Sequence, residues 1–284
     1  MHPFKKNPPI WNDEDMLDEL SKFISLYKSR PIKNNNHGMK FPHMFAVFFI
    51  LKKLKPTFII ESGVYRGQST WLIEKTLPDA QVLSIDIDLD QREYISDNVK
   101  YSNLDFKHHD FSKIPADTLV FFDDHQPHLD RVKQSKFFGI KNIIFEDNYP
   151  PGYGDFPTLR YAYANKDFNH TLTFLNIVKT TYLLLVQFIK KIVKNSYLIS
   201  LDQINSRLRD RRSNSNDFKN LDKNIETYYE FPPIIEFEKT FLGIDTKKKE
   251  FKTEKPFLKI LNSDILEFKD ELNFYNYITY IKLK

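Results

Sequence analysis

The sequence predicts an α/β fold built on a doubly wound, mostly parallel sheet, and three observations carry that prediction. Short apolar runs alternate with helical patterns from residue 45 to residue 145, as strands and crossover helices do in a parallel sheet. The first run, 58–60, stops at Glu61 and turns through Gly63 and Gly67 directly into a helical pattern. The later runs end in acids: Asp86, Asp110, the pair Asp123 and Asp124, and the pair Glu146 and Asp147. Carboxyl ends of parallel strands share one edge of the sheet, so these acids are expected along one rim.

The elements follow in order. A Pro-rich lead precedes Trp11, and Asn12 with Asp15 three residues later forms an N-cap with an acidic first turn. Met16, Leu17, Leu20, Phe23, Ile24 and Tyr27 recur at helical spacing up to Ser29, and Pro31 ends the run. The segment 34–39 reads as a loop in which His37 is solvent-exposed. An apolar helix over 45–54 leads into the strand and Gly turn, followed by a helix over 70–75. A second strand is expected over 81–87, a helix over 90–100, and further strands over 104–108, 117–122 and 141–145. After the turn-rich 151–154 comes an amphipathic helix over 172–193, open to three roles: lid or core packing, subunit interface, or membrane surface. Residues 206–223 form a charged surface segment. Structure resumes over 228–236, and 275–282 alternates like a strand, with a Lys-rich loop at 247–250 between them.

Composition narrows the classes. The chain has 284 residues, 41% of them hydrophobic, with 26 Phe and 15 Tyr, enough for one large α/β domain with additions. A net charge of +4, without a basic stripe interleaved with aromatics, does not point to nucleic acid. With no cysteine, thiol chemistry is excluded and any metal must sit on oxygen or imidazole. The first residues lack a signal-peptide apolar core, so a cytoplasmic location is expected.

The Gly turn carries the chemistry. Gly63 and Gly67 let the backbone turn sharply, and the unpaired N–H groups at the helix start, near Ser69, suit a carboxylate or phosphate. The dinucleotide pattern G-x-G-x-x-G fits poorly, because Tyr65 and Gln68 occupy the second and third glycine positions. An acid two residues before the first glycine, as Glu61 is, suits a ligand with an ammonium group beside its carboxylate, and S-adenosylmethionine has both. The stretch E-S-G-V-Y-R-G-Q-S, residues 61–69, resembles motif I of the class I S-adenosylmethionine-dependent methyltransferases. Within them it is most similar to the macrocin O-methyltransferase and cephalosporin hydroxylase group, which carries E-x-G-V-x-R-G-x-S. The resemblance covers 45–153 and, more weakly, the last strand; residues 160–260 have no counterpart. It implies a Rossmann-like, seven-stranded sheet with an antiparallel last strand, here with N-terminal helices and a helical insertion. Residues 1–42 would be an N-terminal extension, 43–165 with 228–284 the methyltransferase domain, and 166–227 the insertion.

For the cofactor, Glu61, the turn from Gly63 through Tyr65 to Gly67, and Ser69 form the candidate cradle. Asp86, about twenty residues past the glycines, is placed to accept the ribose hydroxyls; Asp88 is the alternate, and a capping acid the plainer role. By resemblance, Asp110 and Phe111 contact the adenine. Asp123, Asp124, Glu146 and Asp147 crowd one rim and repel one another unless protons or a cation intervene, and Mg²⁺ suits such an oxygen site. The resemblance implies Mg²⁺ held by an acid after the fourth strand and a Glu-Asp pair after the fifth, with a His three residues beyond the former acid as base. Here the acids are doubled and the spacing is shifted, so the metal acid is Asp123 or Asp124 and the base is His125 or His128. The resemblance implies O-methylation of a hydroxyl on a sugar or sugar-containing small molecule, a small-molecule or glycan acceptor. A hydroxylase-like member of the same group, a nicotinamide oxidoreductase and a non-catalytic protein anchored through 172–193 are the rivals, and a homo-oligomer or peripheral membrane contact would both use that helix.

Overall fold

A computed structural model of the chain describes residues 6–150, 156–164, 220, 222–236, 253–259, 263–272 and 277–284. Its centre is a seven-stranded sheet, β1 (Phe58–Ser62), β2 (Gln81–Ile85), β3 (Val99–Ser102), β4 (Leu119–Phe122), β5 (Asn142–Phe145), β6 (Ile225–Glu230) and β7 (Thr279–Leu283). The spatial order is β3-β2-β1-β4-β5-β7-β6. β1 to β5 pair in parallel, and β7 runs antiparallel to both β5 and β6. The order reverses between β1 and β4, which opens a crevice at the carboxyl ends of those two strands. The Rossmann-like doubly wound sheet with a reversed last strand is therefore the observed architecture.

Alternation along the strands explains two apolar layers. Ile59, Leu119, Phe121 and Ile144 face one side and pack with α1 (Asp13–Lys28), α2 (Phe41–Leu54) and α3 (Gln68–Thr76). Ile60, Val120, Phe122, Ile143 and Phe145 face the other, with Val132 of α4 (His128–Phe137) and Leu159 of α5 (Leu159–Ala164). Both faces are covered, as a parallel sheet requires. Two short helices near the end, α6 (Ser263–Leu266) and α7 (Lys269–Leu272), bring Ile265 and Leu272 into the first layer.

α1 begins where the cap predicts. Asp15 N donates to Asn12 Oδ1 at 2.8 Å, and Asn12 N donates back to Asp15 Oδ2 at 3.4 Å. Met16, Leu20, Phe23, Ile24 and Tyr27 are buried against α2, while Leu17 is 41% exposed at the edge of the stripe. α2 begins four residues before the apolar run, because Pro42 is accommodated in a first turn. It is buried from Phe41 through Leu51, an apolar rod covered by the sheet and by its neighbouring helices rather than a half-solvated helix.

Two expected elements differ. No helix forms over 90–100, and the third strand is Val99–Ser102 rather than 104–108. Side chains take the backbone groups that a helix would need: Asp86 Oδ1 accepts from Asp88 N, and Asp88 Oδ1 from Asp90 N. The N–H groups of Glu93 and Tyr94 are given to Arg66 O instead. Beyond the strand, Phe106–His108 makes a single 3-10 turn. The helix expected over 172–193, the turn 151–154, the loop 247–250 and most of the segment 206–223 lie outside the described residues. Among the described residues no helix is long and apolar enough to cross a membrane.

Replacing Asn12 with Ala removes one side of the reciprocal cap. The expected loss is about 1 kcal/mol of stability, read as a lower urea midpoint with an unchanged slope; an unchanged midpoint would show that the cap contributes nothing.

Candidate functional site

The site begins with the contact between the turn after β1 and the end of β4. Gly63 has φ +103°, and a Cβ there would lie 2.0 Å from the Asp123 carbonyl oxygen. Gly67, at φ +87°, caps α3, and a Cβ there would lie 2.5 Å from Tyr94 O. Only glycine permits both approaches. Asp86, at the end of β2, clamps the turn through Oδ2, which accepts from Val64 N at 2.8 Å and Tyr65 N at 2.9 Å. Tyr65 itself is held at φ +48°, an uncommon conformation for a residue with a side chain.

Glu61 lies beneath this turn. It is fully buried, and its Oε2 accepts from Thr70 Oγ1 at 2.6 Å and Ser84 Oγ at 2.5 Å. Burial raises its pKa, opposed by the hydroxyls of Ser69, Ser84 and Thr70. The turn forms part of the lining of a small, half-open cleft. Tyr65, Arg66, Gln68, Ser69 and Asp123 line it, together with Asn35, Gly38 and Met39 from the loop before α2. Glu61 is not part of that lining; it supports Ser69, which is. His37 is exposed at φ +64°, as the loop reading expects, while its neighbour Asn35 is the buried member. Gln68 and Asn35 were not singled out by sequence reasoning: the former registered only as a departure from a glycine pattern, the latter only as part of an Asn-rich loop.

The acids at the rim separate into two groups. Asp124 is turned inward, accepting from Ser62 Oγ at 2.6 Å and pairing with Arg131 at 2.8 Å. Arg131 is 3% exposed and also grips Asp105 through two nitrogens, at 3.1 and 3.0 Å. That carboxylate is committed, so of the two candidate metal acids the geometry leaves Asp123. One ligand atom each from Asp123, His125 and Asp147 lie within 4.8 Å of one another, a spacing able to hold a metal ion. His125 Nδ1 is 3.6 Å from Asp147 Oδ2, on a residue with φ +53°. Burial and the neighbouring Asp147 raise the pKa of Asp123 well above the usual carboxylate range. Glu146 is raised by the same two causes; it lies 3.9 Å from His43 Nδ1 and outside the cluster of three.

His128 does not join them. It is 2% exposed, stacks on Phe145 with ring centroids 3.9 Å apart, and accepts the Leu159 N–H at Nδ1 over 3.2 Å. Burial pushes its pKa down to about 3. Of the two candidate bases, only His125 reaches the rim, with 59% of its side chain exposed. Asp110 is exposed and accepts from Ser112 N, and Phe111 is buried against Phe106 and Phe138. Neither lines the cleft. Phe111 follows its apolar character into the layer beneath the sheet, which its position beside Asp110 did not reveal.

No protein-family model matches the chain, and no curated protein matches it. Solved structures are similar in part. A cmcI structure with Mg and SAM shares 26% identity over 42% of this chain and 58% of its own, with a TM-score of 0.34. An apo CmcI structure shares 20% over 51% and 71%, with a TM-score of 0.35. A putative O-methyltransferase from Klebsiella pneumoniae shares 17% over 49% and 68%, also at 0.35. The chain thus spans less than two thirds of the length of the first of these. The fold itself rests on the strand order of the sheet.

The buried histidine has a pH signature. Its folded pKa of about 3 lies below the ordinary 6.5, so the unfolded chain binds the proton first. The stability that neutral His128 contributes is present above pH 6.5 and is lost as pH falls toward 3. Between pH 7 and pH 5 this group alone should cost wild type about 2 kcal/mol relative to His128→Asn, which carries no titrating ring. Denaturant titrations of both proteins at the two pH values measure that difference; equal pH dependence would refute the assignment.

Proposed function

We propose that this chain is an S-adenosylmethionine-dependent methyltransferase acting on a hydroxyl group. One observation carries the reading: Asp123 belongs both to the cleft at the Gly turn and to the cluster with His125 and Asp147. A ligand seated on the turn therefore ends beside groups able to hold a cation or accept a proton. The motif over 61–69 supports the cofactor, as does a cleft in which buried amide atoms of Asn35 and Gln68 lack hydrogen-bond partners.

In this reading the turn and Ser69 seat the amino-acid end, and Asp86, at the end of the adjacent strand, faces the ribose. S-adenosylmethionine supplies an electrophilic methyl group. Asp123 and Asp147 would hold a divalent cation, Mg²⁺ first, whose contribution would be to lower the pKa of a substrate hydroxyl. Burial and then repulsion from Asp147 raise the Asp123 pKa, and a cation would relieve that repulsion. His125, accessible at the rim and beside Asp147, takes the hydroxyl proton. Holding acceptor and donor in line provides most of the rate gain in such a transfer. A sugar or sugar-containing small molecule is the proposed acceptor, on the strength of the family resemblance alone.

Calorimetry with S-adenosylhomocysteine, with and without Mg²⁺, tests the proposal. Wild type should bind, Asp86→Ala should lose at least about tenfold in affinity, about 1.4 kcal/mol, and Asp123→Asn should abolish any Mg²⁺ enhancement. Binding of NAD in place of S-adenosylhomocysteine, or full affinity in Asp86→Ala, would overturn it.

A further inference from the structure

Asn148, the residue after Asp147, is buried and its amide is fully engaged. Nδ2 donates to Tyr228 Oη on β6 at 2.8 Å and to Thr279 Oγ1 on β7 at 2.7 Å. Oδ1 accepts the Arg160 N–H at 2.9 Å, one of the amides in the first turn of α5 that have no partner within the helix. This set fixes which atom is which, since a flipped amide would set its NH₂ against the Arg160 N–H. The anchor is itself braced. Tyr228 Oη donates to Glu230 Oε1 at 2.7 Å, and Arg160 Nη1 lies 3.7 Å from Glu230 Oε2. Asn148, Tyr228, Glu230 and Arg160 thus close a buried polar ring, and a satisfied network of that kind rigidifies the elements it joins.

The tie reaches Asp147 through the backbone. Asn148 N donates to Glu146 O at 3.2 Å and to Tyr277 O at 3.3 Å, and Tyr149 N donates to Asp147 O at 2.9 Å. Two successive bonds of this i to i+2 kind leave residues 146–149 little freedom to swivel, so the direction of the Asp147 side chain follows from where Asn148 is held. Asp123 and His125 follow β4, whereas Asp147 follows β5, and the cluster of three closes only if the end of β5 is fixed. We infer that Asn148 is a positioning residue: anchored on Tyr228, Thr279 and the Arg160 amide, it sets Asp147 against Asp123 and His125. The inference rests on the cation reading above. Its engaged amide leaves Asn148 no part as a ligand, and an aspartate in its place would lose both donated bonds and bring a charge toward Glu230.

Thr279 offers the sharpest test, because it is fully buried on β7 and outside the cluster of three. Thr279→Val keeps the shape and removes one acceptor of the Asn148 amide, while Thr279→Ser keeps the hydroxyl. Calorimetry on the full chain reads Mg²⁺ affinity, with and without S-adenosylhomocysteine, and S-adenosylhomocysteine affinity alone; urea titration reads stability. Asn148→Ala should weaken Mg²⁺ about tenfold and Thr279→Val at least about threefold, with Thr279→Ser within about twofold of wild type. S-adenosylhomocysteine alone should bind every variant within about twofold of wild type, since the Gly turn is untouched. Thr279→Val should add nothing to Asn148→Ala, because it acts through that amide. Should Asn148→Ala not fold, the Thr279 pair carries the comparison. Lost stability with Mg²⁺ affinity intact, or equal losses of Mg²⁺ and S-adenosylhomocysteine, would make Asn148 a structural residue only and overturn the inference. Wild type that binds S-adenosylhomocysteine but no Mg²⁺ would overturn the cation reading and the inference together, leaving the cofactor reading in place.

Discussion

The structure depends on how closely the end of β1 approaches the end of β4. With a hydrogen at the Gly63 Cα, the Asp123 backbone closes to a distance that no side chain would allow. The two ends are also tied by Asp123 N donating to Ser62 O at 2.7 Å. That approach makes one carboxylate part of both the Gly-turn cleft and the acidic rim. Were the strand ends farther apart, the cleft at the turn and the acids of the rim would lie in separate places.

The acids at this edge show how burial sorts charge. Asp124 and Asp105 share Arg131, a buried guanidinium with an anionic partner on each side, so their role is to hold α4 against the sheet. Removing either charge type from such a set is costly, because the other is left buried and unpaired. Asp123 and Glu146 have no guanidinium among the groups that shift them, and burial first and Asp147 next raise both pKa values. The fold thus neutralises one set internally and leaves the other to protons or a cation, and the second set is the one that borders the cleft.

The fold was legible because alternation and turn chemistry are local. The cap at Asn12, the strand broken by Gly63 and Gly67, and the acids after β2, β4 and β5 all lie where the pattern places them. The helix expected over 90–100 failed for a reason visible only in three dimensions: Arg66 O takes the Glu93 and Tyr94 amides, and the Arg66 side chain pairs with Glu93. The site was legible by residue type more than by role. Doubled acids and two histidines left their parts open until burial turned Asp124 toward Arg131 and set His128 against Phe145. Asn35 and Gln68 gave no signal, because an amide in a loop and an amide opening a helix are ordinary until the fold brings them to one cleft.

Strain supports the same centre. Non-glycine residues at positive φ are uncommon, yet Tyr65 and His125 adopt it on either side of the Gly63–Asp123 contact. Tyr65 is held there by Asp86, whose carboxylate takes its N–H, and His125 presents its ring toward Asp147. Each conformation costs of order 1 kcal/mol, which the surrounding bonds must offset. The strain at Tyr65 and His125 borders the same contact that joins the cleft to the acidic rim.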